Sequence, residues 1–392
     1  MISFAPARRQ LVTGAWRRNL YTTTRGLKSD PLRILFCGSD LMSVESLHAL
    51  HEEWRYNREL VEKIEVVVQP PKRTGRGFKK LADVPCTRAA EQLELPYHEI
   101  KTFTGWEMPR DINLIIAVSF GLFVPKRLLR EAKYGGLNVH PSFLPDLRGP
   151  APIHRAALRG DEYMGVSLQT MHEEQFDHGV VLSQTPAPGI RMMQHPTLSR
   201  TTRKLAMEGA ELLVQALRDG LHLPPYQDAG WKAKELGGRP LEHAPKITPA
   251  DTEVDWDSWT AADWLRRLQL KQAVWAVGEV DGPSGRIQRR LLLHDARQVP
   301  EDEVRGDRGM MEVLTRGKDG EERRCRKTVS VDTRWGNLYL LLDKDVWLRV
   351  RRATLESQTE KPAASAAKPF VVEWENGVKN PGNTKTKEKK TQ

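Results

Sequence analysis

The chain has few cysteines, and none of them lies in a metal-binding or disulfide pattern. Cys37, Cys86 and Cys325 are the only three among 392 residues, and no CxxC or Cys/His pair has metal-ligand spacing. We therefore expect unpaired thiols in a reducing compartment and no bound metal. Long apolar runs are also missing. The best candidate, residues 114–124, contains a serine and a glycine and is far shorter than the ~20 residues of a membrane helix.

Glycine-rich nucleotide-binding loops are absent as well. The first apolar run, residues 32–37, ends at Gly38 and continues as Ser39-Asp40, which is neither a GxGxxG motif nor a P-loop. A nicotinamide cofactor or ATP is therefore disfavoured. The sheet order can still be Rossmann-like, because the fold alone does not decide the function.

Acidic residues are scarce at both ends of the chain. Residues 1–30 carry a net charge of +5 and residues 379–392 carry +4, which leaves +1 of the total of +10 for the rest. RNA binding therefore has to be judged from local clusters and not from the total. The Arg-rich composition of residues 1–30 predicts a mitochondrial transit peptide and a location in the mitochondrial matrix, with a basic leader of a cytosolic protein as the alternative. Residues 374–392 are predicted to be a disordered basic tail.

Apolar periodicity predicts an α/β domain followed by a smaller β-rich domain. Strands are predicted at residues 32–37, 65–68, 113–118, 137–140, 165–171 and 180–185, and helices at residues 43–54, 87–95 and 201–217. Alternating strands and helices predict a parallel sheet, and the last two strands are expected to form an antiparallel pair around residues 172–179. Proline and glycine mark a linker at residues 222–245, between a first domain at 31–221 and a second at 246–373.

Three polar side chains carry the chemistry. Asn138 and His140 are two residues apart on a predicted strand, so both point to the same side, and Asp177 follows after a long gap. An amide can donate to a developing oxyanion, an imidazole can move a proton, and a carboxylate can orient the imidazole. Together these residue types predict a formyl-transfer site, although each of them alone is more often structural.

The same region resembles a known family. Asn-Val-His-Pro-Ser-Phe-Leu-Pro at residues 138–145, Arg-Gly-Pro-Ala-Pro-Ile at 148–153 and Phe-Asp-His-Gly at 176–179 are similar to the signature of the 10-formyltetrahydrofolate-dependent formyltransferases. Within that family the chain resembles the branch that acts on methionyl initiator tRNA. The resemblance implies a Rossmann-like, mostly parallel formyltransferase domain followed by an OB-like barrel that binds tRNA.

The resemblance also implies roles for particular residues. The formyl donor would be 10-formyltetrahydrofolate, which is already activated and needs no metal. Asn138 would donate to the oxyanion, His140 would help to transfer a proton to the leaving nitrogen, and Asp177 would pair with His140. The implied folate contacts are Val118, Phe120, Gly121, Leu122, Ser142, Phe143, Leu144 and Pro145. For the last four residues a rigid turn that positions His140 is the alternative, and both roles can hold together.

A basic loop follows the second predicted strand. Residues 69–80 contain no acidic side chain and carry Lys72, Arg73, Arg76, Lys79 and Lys80. Basic side chains on a loop rich in glycine and proline can bind RNA phosphates, although a solvated basic loop is the simpler interpretation. The resemblance implies that this loop grips the acceptor end of tRNA, with Arg76 as the matching arginine.

The favoured hypothesis is formylation of methionyl initiator tRNA in mitochondria, by a monomer that contacts no membrane. The nearest alternative is a formyltransferase for a small amine, such as glycinamide ribonucleotide or an amino sugar. A one-domain purine enzyme would not need residues 246–372 or the basic loop. A folate- or RNA-binding protein without catalysis would have no physical reason to keep Asn138, His140 and Asp177. A hydrolase, in which water replaces the amine, is compatible with the same three side chains.

Overall fold

Two β-sheets of different design, one mostly parallel and one antiparallel, dominate the structure. The structure, a computed structural model, describes residues 29–74, 79–192, 197–235, 240–271, 273–282, 284–316, 320–343 and 345–375. The strands of the first half are β1 (Leu32–Gly38), β2 (Val61–Val68), β3 (Arg73–Thr74), β4 (Lys80–Leu81), β5 (Tyr97–Glu99), β6 (Leu114–Val118), β7 (Gly136–His140), β8 (Tyr163–Met164), β9 (Ser167–Thr170), β10 (Val181–Gln184) and β11 (Ile190–Arg191). Its helices are α1 (Leu41–Tyr56), α2 (Pro85–Gln92), α3 (Lys126–Glu131), α4 (Pro152–Arg159), α5 (Ser199–Arg218) and α6 (Trp231–Glu235).

Within the described residues, the first sheet has seven strands in the order β10-β9-β7-β6-β1-β2-β5. Neighbouring strands from β5 to β7 are parallel, whereas β9 runs antiparallel to both β7 and β10. The chain leaves β1 towards β2 and later returns to its other side as β6. Open α/β sheets bind their ligands in a crevice at such a switch point. We call the corresponding place, at the carboxyl ends of β1 and β6, the crevice.

The sheet is held between helices because its strands are apolar on both faces. All five residues of β6 are buried, as continuous apolar strands of parallel sheets must be. Helices α1 and α5 pack against one face, and their buried stripes recur at helical spacing, for example Leu47 and Leu50 in α1. Asp40 begins α1 by accepting hydrogen bonds from the main-chain N–H groups of Met42 and Ser43.

The second half is an antiparallel barrel preceded by one helix. Its elements are α7 (Ala261–Lys271), β12 (Ala273–Gly282), β13 (Gly285–Val299), β14 (Asp307–Arg316), β15 (Glu322–Asp332), β16 (Asn337–Asp343), β17 (Val346–Leu355), β18 (Lys361–Pro362), α8 (Ala363–Ala367) and β19 (Val371–Trp374). The described strands pair in the order β12-β13-β17-β16-β15-β14, and a bridge from Val277 to Leu314 joins β12 to β14 and closes the ring. The ring thus has six strands, compared with the five of a typical OB fold.

The segment between the two sheets packs against the first domain. Its residues 242–244 run beside residues 147–151, and a stretch before them lies along β10. The hydrogen bonds run from Ala229 N to Val181 O (2.8 Å), from Leu147 N to Glu242 O (2.8 Å) and from Ala244 N to Arg148 O (2.7 Å). Further along, Arg155 of α4 binds both carboxylate oxygens of Asp251, at 2.6 and 3.1 Å. The part of the predicted linker that the structure describes is therefore ordered by contacts with the first domain.

The predicted fold class, a Rossmann-like mostly parallel sheet followed by a β-rich domain, is confirmed. The expected antiparallel pair around residues 172–179 is present as β9 and β10. The short edge strand β5 was not predicted, and β2 begins at Val61, four residues before the predicted start. None of the helices in the described ranges is both long and apolar enough to cross a membrane. The predicted leader at residues 1–30 lies almost wholly outside the described residues, as does the tail at 374–392.

Candidate active site

The three predicted catalytic side chains meet beside the carboxyl ends of the central strands. Asn138 lies in β7 opposite Ala117 of β6 on one side and Gln169 of β9 on the other. His140 is the last residue of β7, and Asp177 belongs to the loop between β9 and β10. The Nδ1 atom of His140 is 3.4 Å from Oδ1 of Asp177, and the two side chains are only 7% and 10% exposed. The structure thus brings together residues that are 37 positions apart in the sequence.

The environment of His140 decides which ring nitrogen can exchange protons. Its Nε2 is 3.0 Å from the carbonyl oxygen of Leu147. A carbonyl can only accept, so Nε2 must carry a hydrogen and donate it. Nδ1 is left as the nitrogen that can gain or lose a proton, and it faces the carboxylate of Asp177. The bond from Nε2 also fixes the plane of the imidazole.

The carboxylate of Asp177 is held by the loop at residues 148–149. Gly149 N donates to Oδ2 at 2.9 Å, and Arg148 Nε donates to the main-chain oxygen of Asp177 at 2.7 Å. Gly149 has a φ of +120°, and a Cβ atom there would lie 2.7 Å from the carbonyl oxygen of Ala244, so a side chain does not fit. The Arg-Gly pair was recognised in the sequence as part of a motif. Its task of fixing the acid was not predicted.

Gln169 connects Asn138 to Asp177, and the sequence analysis did not predict it. Its Nε2 donates to Oδ1 of Asn138 at 3.0 Å and to Oδ1 of Asp177 at 3.2 Å, and its Oε1 accepts from Gly179 N at 3.1 Å. The side chain is buried, so each of these contacts is made away from water. Because Asn138 Oδ1 is engaged by Gln169, Nδ2 must point the other way. It donates one hydrogen to Ala117 O at 3.1 Å and has a second one to offer.

Several contacts hold the loop that carries Asp177 in place. Glu173 forms two hydrogen bonds with Arg130 of α3, at 2.8 and 2.6 Å. Phe176 packs edge-to-face on Phe123 with 5.0 Å between ring centroids, although its side chain is 57% exposed. At Gly179 a Cβ atom would lie 1.6 Å from Thr170 O, so only glycine permits this approach to β9. The loop is thus held against α3, β9 and the loop after β6.

The residues expected to contact folate fall into two groups. Val118 and Phe120 are buried at the crevice, whereas Gly121 is exposed and Leu122 half-buried. Ser142, Phe143 and Leu144 are buried, and Pro145 is half-buried. The hydroxyl of Ser142 donates to Asp146 O, while the main-chain N–H and carbonyl of Leu144 are bound by Ser167 and Gln184. The contacts found at residues 142–145 are therefore those of a rigid turn behind His140.

An acidic side chain also lies at the end of the loop after β1. Asp40, which begins α1 after Gly38, is exposed at its surface, yet partial desolvation raises its pKa, and hydrogen bonds, including one from Ser119, oppose this rise. Beside it the Ser39 hydroxyl donates to Phe120 O at 3.3 Å. These contacts join the loop after β1 to the loop after β6 and define the floor of the crevice.

The basic loop is a short hairpin at its base. Arg73 pairs with Leu81 and Thr74 with Lys80, as strands β3 and β4. Lys72, Arg73, Lys79 and Lys80 are all exposed. Arg76 lies outside the described residues, so its predicted role stays a prediction. Within the described part of the chain, no group of three His, Cys, Asp or Glu side chains could hold a metal ion.

Comparison with known proteins shows which family the chain is similar to. A model of the formyl transferase family matches residues 32–217. The mitochondrial methionyl-tRNA formyltransferase of Saccharomyces cerevisiae is 34% identical over 309 residues, which cover 68% of this chain and 75% of the yeast protein. The chain belongs to the methionyl-tRNA formyltransferase family.

Some other methionyl-tRNA formyltransferases align over a shorter part of this chain. The mitochondrial protein of Bos taurus is 34% identical over 239 residues, or 60% of this chain and 56% of the bovine protein. Among solved structures, a HypX variant from Aquifex aeolicus is similar over 86% of this chain and 48% of its own, with 19% identity and a TM-score of 0.46. The matched region at residues 32–217 contains all four side chains of the candidate site, including Gln169.

Proposed function

We propose that this protein transfers the formyl group of 10-formyltetrahydrofolate to the amino group of methionyl initiator tRNA. The single observation that supports it best is the meeting of Asn138, His140 and Asp177 at the carboxyl end of β7, in a chain of this family. The mitochondrial relatives and the composition of residues 1–30 support action in mitochondria, and we propose the matrix.

In the proposed reaction the amine nitrogen of the methionyl group attacks the formyl carbon, and the carbonyl oxygen becomes an oxyanion. The free N–H of Asn138 Nδ2 donates to this oxyanion, which is where preorganised donors contribute most. The amine loses a proton, the bond between the formyl carbon and N10 of the folate breaks, and N10 gains a proton. Atoms and charges balance without metal or redox chemistry.

His140 and Asp177 manage the proton in this scheme. Nε2 of His140 is committed to Leu147 O, so the proton passes through Nδ1. When Nδ1 is protonated, it lies 3.4 Å from the carboxylate oxygen Oδ1 of Asp177, and the charge pair stabilises the imidazolium. Asp177 can also take the amine proton directly or through water. The two groups therefore act as a coupled acid and base.

The folate is proposed to lie in the crevice between residues 118–122 and the loop that ends at Asp177. Phe120 supplies an apolar wall, and the Phe123–Phe176 pair closes the edge, which suits a flat pterin ring. For residues 142–145 we retain the role of a rigid support and propose folate contact only through main-chain atoms that remain free.

The RNA is proposed to bind through the hairpin at Lys72, Arg73, Lys79 and Lys80, together with Arg76, and through the barrel. Lys72, Arg73, Lys79 and Lys80 are exposed, and none of them forms an ion pair with another described residue. We propose residues 31–221 as the catalytic domain, 222–245 as the connecting segment and 246–373 as the RNA-binding domain. A small-amine substrate would not require the basic side chains of the hairpin or the barrel for binding.

A transfer assay with labelled 10-formyltetrahydrofolate tests the proposal. Methionyl initiator tRNA, methionyl elongator tRNA, glycinamide ribonucleotide and an amino sugar are offered in turn, and the H140A variant serves as the control. We expect label on methionyl-tRNA and none in the control. Label on small amines alone would refute the tRNA substrate, and release of formate without any acceptor would indicate a hydrolase.

A further inference from the structure

An exposed tryptophan stands at the turn between β15 and β16. The Trp335 side chain is 72% exposed, although a large aromatic ring is normally buried. The turn beneath it is fixed by Asp332, whose carboxylate accepts from Arg334 N at 3.1 Å, from Trp335 N at 3.1 Å and from the side chain of Asn337 at 3.3 Å. Asp332 is itself buried. The indole is therefore presented to solvent by a rigid turn.

Arginines surround this indole. A cavity of about 380 Å³ beside it, which we call the Trp335 surface, is lined by Arg305, Trp335, Asn337, Tyr339, Arg349 and Arg351, and by Asp332, whose carboxylate is engaged by the turn. The Arg334 guanidinium lies 5.5 Å from the indole centroid. Arg351 is paired with Asp295 at 3.3 Å, but within the described residues neither Arg334 nor Arg349 forms an ion pair with a carboxylate.

Arg349 gives the clearest sign that a partner is missing. Its Nε is buried and has no hydrogen-bond partner in the part of the chain that the structure describes. Guanidinium groups are rarely left so, because a buried donor without an acceptor is destabilising. An anion in the cavity that Arg349 lines would pair with the same guanidinium group through its accessible nitrogens. Guanidinium and phosphate are well matched in geometry and charge.

We infer that the Trp335 surface binds one unpaired nucleotide of an RNA, with its base stacked on the indole and its phosphate at Arg349. Base stacking on an aromatic ring beside arginines is the usual way in which proteins hold single-stranded nucleic acid. The cavity lies at the lower end of the ~300–1,000 Å³ typical of small-ligand sites, which suits a nucleotide.

This inference rests on the proposed function only where it identifies the RNA as the tRNA substrate. RNA binding itself can be measured without formyl transfer. The first test compares the Kd of full-length wild-type and W335A protein for initiator tRNA and for a labelled eight-nucleotide single-stranded RNA, by fluorescence anisotropy. We expect W335A to weaken both by about 10-fold and W335F to restore most of the affinity. Y56A is the matched control, because Tyr56 is 79% exposed and far from the barrel in sequence, and it should bind like wild type.

The second test separates stacking from charge. R349Q should weaken binding, and the slope of log Kd against log salt should become shallower by about 0.7, the value for one lost phosphate contact on a single strand. Poly-glutamate of equal charge should displace the RNA poorly. If it competes as well as RNA, or if W335A binds both RNAs within twofold of wild type, the surface is a general anion site or an acidic-protein site and our inference is wrong.

The two proposals can fail separately. If wild-type protein formylates methionyl-tRNA while W335A and R349Q bind and use it like wild type, the formyl-transfer function stands and the Trp335 surface is refuted. If the variants lose RNA affinity as expected but wild type transfers label only to small amines, the RNA surface stands and the tRNA substrate is refuted.

Discussion

Changing Gln169 to glutamate should disable Asn138, the proposed oxyanion donor, without changing Asn138 itself. The substitution replaces the Nε2 donor by an oxygen, which would then face Oδ1 of Asn138 at 3.0 Å and Oδ1 of Asp177 at 3.2 Å. Asn138 can relieve the first repulsion only by turning its amide, so that Nδ2 donates to residue 169. Its oxygen would then face the carbonyl of Ala117 and the crevice, where a donor is needed.

The size of the effect follows from what is lost. Removing one oxyanion-hole donor raises the activation free energy by ~3–4 kcal/mol, which is about 10²–10³-fold in rate. We expect Q169E to lower kcat by a factor in this range, as N138A should. The measurement is single-turnover transfer of labelled formyl to methionyl-tRNA. Q92E, on the exposed end of α2, is a matched control for the added charge.

A double variant decides whether Gln169 acts through Asn138. If it does, N138A/Q169E should lose much less than the product of the two single losses, because the donor is already gone and only the repulsion between the new carboxylate and Asp177 remains. Thermal unfolding of each variant checks that the site is still folded. Multiplicative losses in the double variant, or a Q169E enzyme within threefold of wild type, would show that Gln169 does not orient the donor.

Three further outcomes are expected. D177N should lower kcat by ~10²–10⁴-fold. A combined D177N/H140A variant should lose much less than the product of the single losses, since His140 and Asp177 share one proton path in the proposed reaction. Losses in kcat that multiply fully, measured by steady-state kinetics, would contradict this. Burial lowers the pKa of His222 to about 4, against 6.5 in the unfolded chain. Below pH 6.5 the unfolded state therefore binds more protons than the folded state, and the free energy of unfolding decreases as the pH falls towards 4. Urea unfolding at pH 7.5 and pH 5 should show a loss of ~2 kcal/mol that is absent from H222F, and equal pH dependence of the two proteins would count against it. Burial raises the pKa of Cys37, and that of Cys86 to about 12, so neither thiol should react with an aromatic disulfide at pH 8 until the protein is denatured; rapid labelling of both in native protein would disprove their burial.

The elements of the first sheet could be predicted because their signals are local. Strands such as β6 are continuous apolar runs, and α5 shows a helical apolar stripe over 20 residues, so sequence alone identifies both. The pair Asn138 and His140 was found for a similar reason, since alternation along one strand places both side chains on one side. Strand β5 has only three residues and no buried side chain to reveal it.

The missed parts of the site depend on pairing between distant segments. Gln169 faces Asn138 only because β9 pairs with β7 in one particular register, and no local pattern encodes that register. The bond from His140 Nε2 to Leu147 O likewise depends on a turn whose shape is set by Ser167 and Gln184. Residue types could be predicted, but their hydrogen-bond partners could not.

The contacts of residues 242–244 have a consequence for dissecting the protein. These residues pair with the loop that holds Asp177, yet they belong to the stretch that leads into the barrel. A chain cut at residue 221 would keep every strand of the Rossmann-like sheet but would lose the support behind Arg148 and Gly149. We therefore expect that the half with the candidate site does not work alone, and that exchanging barrels between homologues succeeds only if the junction is placed after residue 244.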